Sequence, residues 1–520
     1  MVRHVSSGLV RVRLSRIAGA LLAIGIALNA ISCPAATSIT FYGFDDAAYS
    51  PMAREGMEEI FAGHLFHAAL PAAAGRLVFS TTGPAQKSAG FKPDSPDGRF
   101  YASGRLPSPP TRTAGVDPGF ALGESAITRN QSLHLTINCF MCHAGMVNGQ
   151  VVAGMANNHI NQSDPRKVRT RGDNFGPYAV WLLGARLEDP ANKGLTLASK
   201  STELEKIIAS TPLPPVDPMP WWLMKYKKKD YWYADAAPTD AGSFSINFTT
   251  PHAEMNEHHL DHVQTVAKAL AFARETQSPP FPGKLDPNLV ERGADLFHGR
   301  TPPLETTGFR ACKTCHGSYA RKDNAGDLGE PGSWKVDYDF SHVLRNVKTD
   351  PAYNSTLQKF QPIADHINKL ETYMTAQGIP RESIPHAAAP AGEGYVAPPL
   401  VGVWASAPYF HNGSVPTIEA VLNSAERPEI WARNHQDAVA YDLEHVGMAY
   451  KPVSRSEFDE SAERAKGKPF AAQAAIDHGA NYDTTAFGHG NTGHTFGDHL
   501  SPEERRAILE FLKSLSGPDM

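Results

Sequence analysis

Two short runs carry the residue types most able to do chemistry: Cys139-Phe140-Met141-Cys142-His143 and Cys312-Lys313-Thr314-Cys315-His316. Each sets two thiols three positions apart and follows at once with an imidazole. Thiols at that spacing reach both vinyl groups of one porphyrin and form thioethers; the adjacent histidine then lies under the ring and offers a nitrogen to iron. With five cysteines in 520 residues, two such runs do not arise by chance. A zinc knuckle gives no reason for histidine at that fixed place in both copies. A redox dithiol needs one motif and no histidine. The sequence therefore predicts two covalently bound c-type haems on Cys139, Cys142, Cys312 and Cys315, with His143 and His316 as iron ligands.

These runs need elements to hold them. They lie 173 residues apart, a spacing suited to one haem per domain. Gln277-Ser278-Pro279-Pro280-Phe281-Pro282-Gly283 is a proline-rich break between them. Just after it, Asp286-Pro287 opens a helix with Leu289, Val290, Ala294 and Phe297 on one face, leading into the second run. Ser501-Pro502-Glu503-Glu504 is a capping box with proline at the first helical position, and Ile508, Phe511, Leu512 and Leu515 form its apolar stripe. Leu260 to Ala273 also reads as helix. The expected architecture is mainly α, two cytochrome c-like haem domains with extensive loops. The division is a signal peptide at 1–36, an N-terminal c-type haem domain at 37–277, a linker at 278–283 and a C-terminal cytochrome c domain at 284–520.

Composition narrows the partners and the compartment. Arg3, Arg11, Arg13 and Arg16 are the only charged residues of 1–36, leaving 45 basic against 54 acidic residues in the rest, a net −9. A negative body without a basic block argues against nucleic acid. The early arginines precede an apolar run from Ile17 to Ile31, then small residues around Ser32 to Ala36. This is the order of a cleaved secretory signal, and the run is shorter than the ~20 residues that cross a bilayer. The expected location is periplasmic or secreted, with no stable membrane insertion after cleavage. A lipidated Cys33 ranks second, because Asn29 fits a lipoprotein box poorly.

The segment from Gly394 to Thr417 contains Pro398-Pro399-Leu400-Val401-Gly402-Val403-Trp404 and then Ala407-Pro408-Tyr409-Phe410-His411-Asn412-Gly413-Ser414. It resembles the bacterial dihaem cytochrome c peroxidase superfamily and looks most like its rubber-oxygenase-like branch. The resemblance covers about residues 285–515; in the first half it rests on the haem motif. It implies that Tyr409 and His411 wall the second haem. In the peroxidases that haem takes its distal ligand about fourteen residues after the histidine matching His411. Here the place falls at Ala425, beside Asn423 and Ser424, and none of these ligates iron. The oxygenase-like branch uses a histidine near the C-terminus, which implies His494 in Gly493-His494-Thr495-Phe496-Gly497, with Met448 as the fallback.

Iron that meets an oxidant needs an open or displaceable sixth position. His159 lies sixteen residues beyond His143, near where the peroxidases carry a displaceable distal histidine. The oxygenase-like branch leaves that iron without a protein ligand, and a surface histidine is the third reading. Two aromatic clusters stand ready to wall a porphyrin or relay electrons. One is Phe175, Tyr178 and Trp181. The other is Trp221, Trp222, Tyr226, Tyr231, Trp232 and Tyr233, around a basic run at 225–229. His258 and His262 share a helix face beside Glu254, Glu257 and Asp261, a weaker candidate for a metal, and the peroxidases carry a calcium ion on oxygen ligands. The function expected is an exported dihaem oxidoreductase. It would use H2O2 or O2 at the N-terminal haem, with His159 and Trp181 as catalytic candidates. Its electron donor would be a small redox protein, or an organic substrate if the chemistry is oxygenase-like. The alternative is a dihaem electron carrier without catalysis.

Overall fold

Caps written in the sequence start and stop the helices that flank both haem motifs. In α1, Pro51–Ala62, the Ser50 hydroxyl accepts from the Ala53 N–H, proline fills the first position, and Gly63 ends the helix at φ +73°. α2 spans Glu257–Glu275, enclosing the stretch expected from Leu260 to Ala273. α3, Pro287–His298, begins where Asp286 accepts from the N–H groups of Asn288 and Leu289, and stops at Gly299, φ +69°. α4, Pro502–Ser514, carries the complete capping box: Ser501 and Glu504 satisfy each other's backbone N–H. The computed structural model describes residues 40–65, 70–71, 122–129, 131–157, 206–207, 210–226, 229–230, 237–238, 240–245, 257–301, 311–323, 330, 332–337, 343–434, 440–468, 473–518 and 520. Residues 1–36, His159, Trp181, Phe175, Tyr178, Tyr231, Trp232 and Tyr233 lie outside the described residues. Residues 36–520 gather into one compact unit.

Each haem motif has a helix pair at its back, and each pair crosses at a glycine. At Gly56 of α1, a Cβ would sit 1.9 Å from the Lys268 carbonyl oxygen of α2; at Gly293 of α3, it would sit 2.0 Å from that of Ala507 in α4. Only glycine allows backbones to approach this closely. Around the first pair the buried core holds Met57, Ile60, Phe140, Trp221, Val266 and Phe272. Around the second, Phe297 and Phe511 meet with ring centroids 5.2 Å apart, and Trp334 stands edge-on to Phe511 at 5.0 Å. Burying each such ring stabilises the fold by about 1.5–3 kcal/mol.

The described residues are a mixture of helix and strand, rather than mainly helix. Thr40–Tyr42 pairs in parallel with Gln150–Ala153, which pairs antiparallel with Ala144–Val147. Ile430–Arg433 lies between Tyr450–Pro452 and Asn481–Asp483. Among the described residues no strand exceeds six residues. Strands this short hold too few positions for alternation to register in a sequence. The proline-rich segment is packed in: Ser278 and Phe281 are buried, the Trp404 indole donates to the Pro279 carbonyl, and the Phe281 N–H donates to the Ser516 hydroxyl. One apolar cluster runs from Val147, Val152, Met155, Trp222 and Leu223 to Phe297, Trp404 and Phe511.

Candidate functional site

Residues 313–316 make a single helical turn started by Cys312, with the Cys315 and His316 N–H groups both donating to the Cys312 carbonyl. This turn sets Cys312, Cys315 and His316 along one wall of a cavity of about 240 Å³. The His316 Nδ1–H donates to the Pro398 carbonyl at 2.8 Å, which fixes the tautomer and leaves Nε2 with its lone pair. Tyr319 braces the turn: its hydroxyl donates to the His316 carbonyl and accepts from the Leu400 N–H. Tyr319 is itself held by His298 at the end of α3, whose Nε2 accepts from the Tyr319 N–H. Tyr409 and His411 line the same cavity, as the resemblance implies. The His411 ring stacks on Tyr395 at 3.9 Å, and burial lowers its pKa to about 3.

His494 faces His316 across this space. Their ring centroids are 6.1 Å apart, with the planes at 69°. That is the separation of two imidazoles bound to one metal through bonds of about 2 Å on each side. Burial lowers both pKa values, that of His494 to about 4 with help from the charges of His316 and Arg427. Both rings are therefore neutral near pH 7, the form that binds a metal. His494 sits at φ +47°, a conformation unusual outside glycine, and its buried Nδ1 has no hydrogen-bond partner. The apolar walls, the paired thiols and the two facing imidazoles fit a haem attached through Cys312 and Cys315. The thiol of Cys312 is pushed by burial up to about 12, the opposite of what a redox dithiol requires.

The other candidates for the sixth ligand are elsewhere. Ala425 is exposed and does not line the cavity, while its neighbour Ser424 holds the Asp498 carboxylate through both its N–H and its hydroxyl. Met448 is buried in a short strand away from the cavity wall. His489 packs against Tyr482 with Nδ1 on the Phe487 carbonyl. Two further residues frame the site: Tyr395, inside the Gly394–Thr417 segment but given no role by the sequence, and Arg427, whose guanidinium spans the His494 loop and which belongs to no local motif.

The first haem motif repeats the turn. Residues 140–143 are helical, and the Cys142 and His143 N–H groups donate to the Cys139 carbonyl. The buried Asn138 side chain starts it, accepting from the Phe140 N–H and donating to the Leu122 carbonyl and Ser125 hydroxyl. Here the histidine meets an indole: His143 stacks on Trp221 at 4.9 Å and 24°. Gly154 makes room, at φ +80°, donating to the His143 carbonyl and accepting from the Trp221 N–H. The next residue, Trp222, is fully buried and donates its indole N–H to the carbonyl of Val401, which lines the cavity beside the second motif. The Trp221-Trp222 pair thus bridges the two motifs. His262 is buried, and among the described residues no group of three His, Cys, Asp or Glu could hold a metal ion. Nor is any described helix long and apolar enough to cross a membrane.

A family model described as RoxA-like, cytochrome c-like matches residues 394–432, the stretch carrying Tyr395, Pro398, Tyr409, His411 and Arg427. The chain is also similar to two uncharacterized proteins of Sinorhizobium fredii. With y4iJ it is 34% identical over 132 residues, 23% of this chain and 18% of the relative. With y4iM it is 37% identical over 185 residues, 33% and 41% respectively. The chain spans less than half the length of either relative. The matched segment is cytochrome c-like, which implies a c-type haem and a haem-binding cytochrome.

Proposed function

We propose that this chain is an exported dihaem c-type cytochrome with oxidoreductase activity. One haem is held by Cys139, Cys142 and His143, the other by Cys312, Cys315 and His316, with His494 as the second axial ligand. The 6.1 Å gap between the His316 and His494 rings carries this reading. Bound haem supplies one-electron transfer, and, where an axial position is open, activation of H2O2 or O2. With both His316 and His494 holding it, a haem at the C-terminal site would pass electrons, which leaves the chemistry with an oxidant to the N-terminal site. Pro398 and Tyr319 orient His316, while Tyr395, Tyr409 and His411 wall the site. Trp221, stacked on His143, and Trp222, hydrogen-bonded to the Val401 carbonyl, form the route from the first motif to the cavity of the second. His159 and Trp181 are the candidates on the oxidant side. A small redox protein supplies electrons for peroxide reduction; an oxygenase would instead take an apolar organic substrate. Either works in the periplasm or outside the cell.

The test is EPR and optical spectroscopy of the holoprotein, wild type and His494→Ala, with and without H2O2 or O2. One high-spin and one low-spin haem, the low-spin signal lost in the variant and the high-spin haem changed by one oxidant, supports the proposal and selects the chemistry. Two low-spin haems inert to both oxidants, oxidised and half-reduced, would make the protein an electron carrier.

A further inference from the structure

Arg427 spends its whole hydrogen-bonding capacity on main-chain carbonyls. Nε–H donates to Ala420, one terminal nitrogen to Asn491 and Gly493, the other to Val421 and His494, at 2.7–3.2 Å. A guanidinium has five N–H donors in a rigid planar fork, and here all five are used. Two go to the end of the short helix Ile418–Leu422 and three to the loop bearing His494. The guanidinium also lies over the Phe410 ring, 5.1 Å from its centroid, and that ring stands 6.0 Å from His494.

This grip falls on His494, one of two non-glycine residues of the cavity wall at positive φ, the other being Phe410 at +68°. Gly493 and His494 are consecutive residues at positive φ, +76° and +47°. A Cβ at Gly493 would lie 2.2 Å from the Lys348 carbonyl carbon, so the turn is pressed against the bend at Lys348. The His494 N–H donates to the Val347 carbonyl at 2.8 Å, and its carbonyl accepts from Arg427. Strained backbone persists where its surroundings over-determine it. Both polar groups of the His494 main chain are held, one by each side of the turn.

We infer that Arg427 is a positioning residue: it holds His494 in the strained conformation that keeps the imidazole facing His316, and so keeps the C-terminal site closed to exogenous ligands. The inference rests on the reading of His494 as an axial ligand. It concerns geometry more than charge, because an ammonium has the same charge and only three donors, not set in a plane.

The experiment compares holoproteins of wild type, Arg427→Lys, Arg427→Met and His494→Ala. Haem content and far-UV circular dichroism report folding. The oxidised EPR spectrum and CO titration of the reduced protein report the sixth position. Both Arg427 variants should convert part of the low-spin signal to high-spin and raise CO affinity at that haem by about tenfold or more, because the competent fraction grows. Added imidazole should restore the low-spin signal. A wild-type spectrum and CO affinity in Arg427→Lys would overturn the inference, leaving charge alone as the role. An unchanged low-spin signal in His494→Ala would instead overturn the ligand reading, whatever the arginine variants do. If Arg427→Lys does not accumulate with haem, Arg427→Gln, which keeps two planar donors, is read by the same criteria.

Discussion

At Cys139–His143 and at Cys312–His316 the backbone does the same thing. A cysteine in helical conformation (φ −60° and −57°) starts one turn, and its carbonyl receives the histidine N–H at 2.9 Å in both. The surroundings then part company. After His143 the chain runs straight into the strand Ala144–Val147, and the ring lies on Trp221. After His316 it turns at Gly317, φ +75°, and the ring points across a cavity at a second histidine. A local motif thus fixes how a porphyrin would be attached, while the far side of each ring is supplied by residues remote in sequence. The same division holds for the supporting helices. Gly56 and Gly293 solve one packing problem in two places, with different partners.

This comparison can be broken most sharply at the thiols. Replacing Cys312 and Cys315 by alanine should halve the haem per polypeptide, from two to one, measured by pyridine haemochrome and intact mass. The Cys139/Cys142 pair should do the same. Unchanged haem in either variant would end the symmetry. Next in size, Trp221→Ala should cost about 3–5 kcal/mol through the cavity it leaves. It should perturb the N-terminal haem spectrum and spare the His316/His494 signal; an equal change at both haems would show that the sites are not separate. Gly293→Ala and Gly56→Ala should each destabilise by about 1–3 kcal/mol in urea unfolding, since a methyl group there meets backbone. Gly293→Ala should disturb the C-terminal haem and Gly56→Ala the N-terminal one.

Smaller still, Tyr319→Phe removes a buried hydroxyl that bridges His316 and Leu400. It should cost about 1–3 kcal/mol, because the Leu400 N–H loses its acceptor, with any spectral change confined to the C-terminal haem. The smallest effect is a control away from both sites. Partial burial raises the Asp483 carboxyl, but Arg455 and Thr485 more than offset it and bring it down to about 2. A depressed folded-state pKa gives stability that is present above the unfolded value of about 3.9 and lost as pH falls toward 2. Because the Arg455 side chain is exposed and solvent screens the pair, Asp483→Asn should cost less than about 1 kcal/mol at pH 7 and still less near pH 2. Both haem spectra should be untouched.

The helices around the sites were legible because their signals are local. Asp286-Pro287, and Ser501 with Glu504, state where α3 and α4 begin, and the structure follows them. The mixed strand content was not legible, since three-residue strands such as Thr40–Tyr42 are made by their partners. Of the site, His316 was found from its motif, and Tyr409, His411 and His494 from the resemblance; the structure brings all four to one cavity. Arg427 was invisible. Its five acceptors are main-chain carbonyls, which any residue supplies, so no residue type marks them.

What the sequence by itself determined is covalent and local. Two thiols and an imidazole within five residues specify attachment wherever the chain places them, and caps act over three or four positions. What only the tertiary structure decided is which groups face each other. His494 is 178 residues from His316, and Trp221 is 78 from His143. Their distances are set by the glycine crossings, the buried tryptophans and the Arg427 fork acting together. Contacts between residues so far apart depend on the whole folded core, because no short stretch holds both partners.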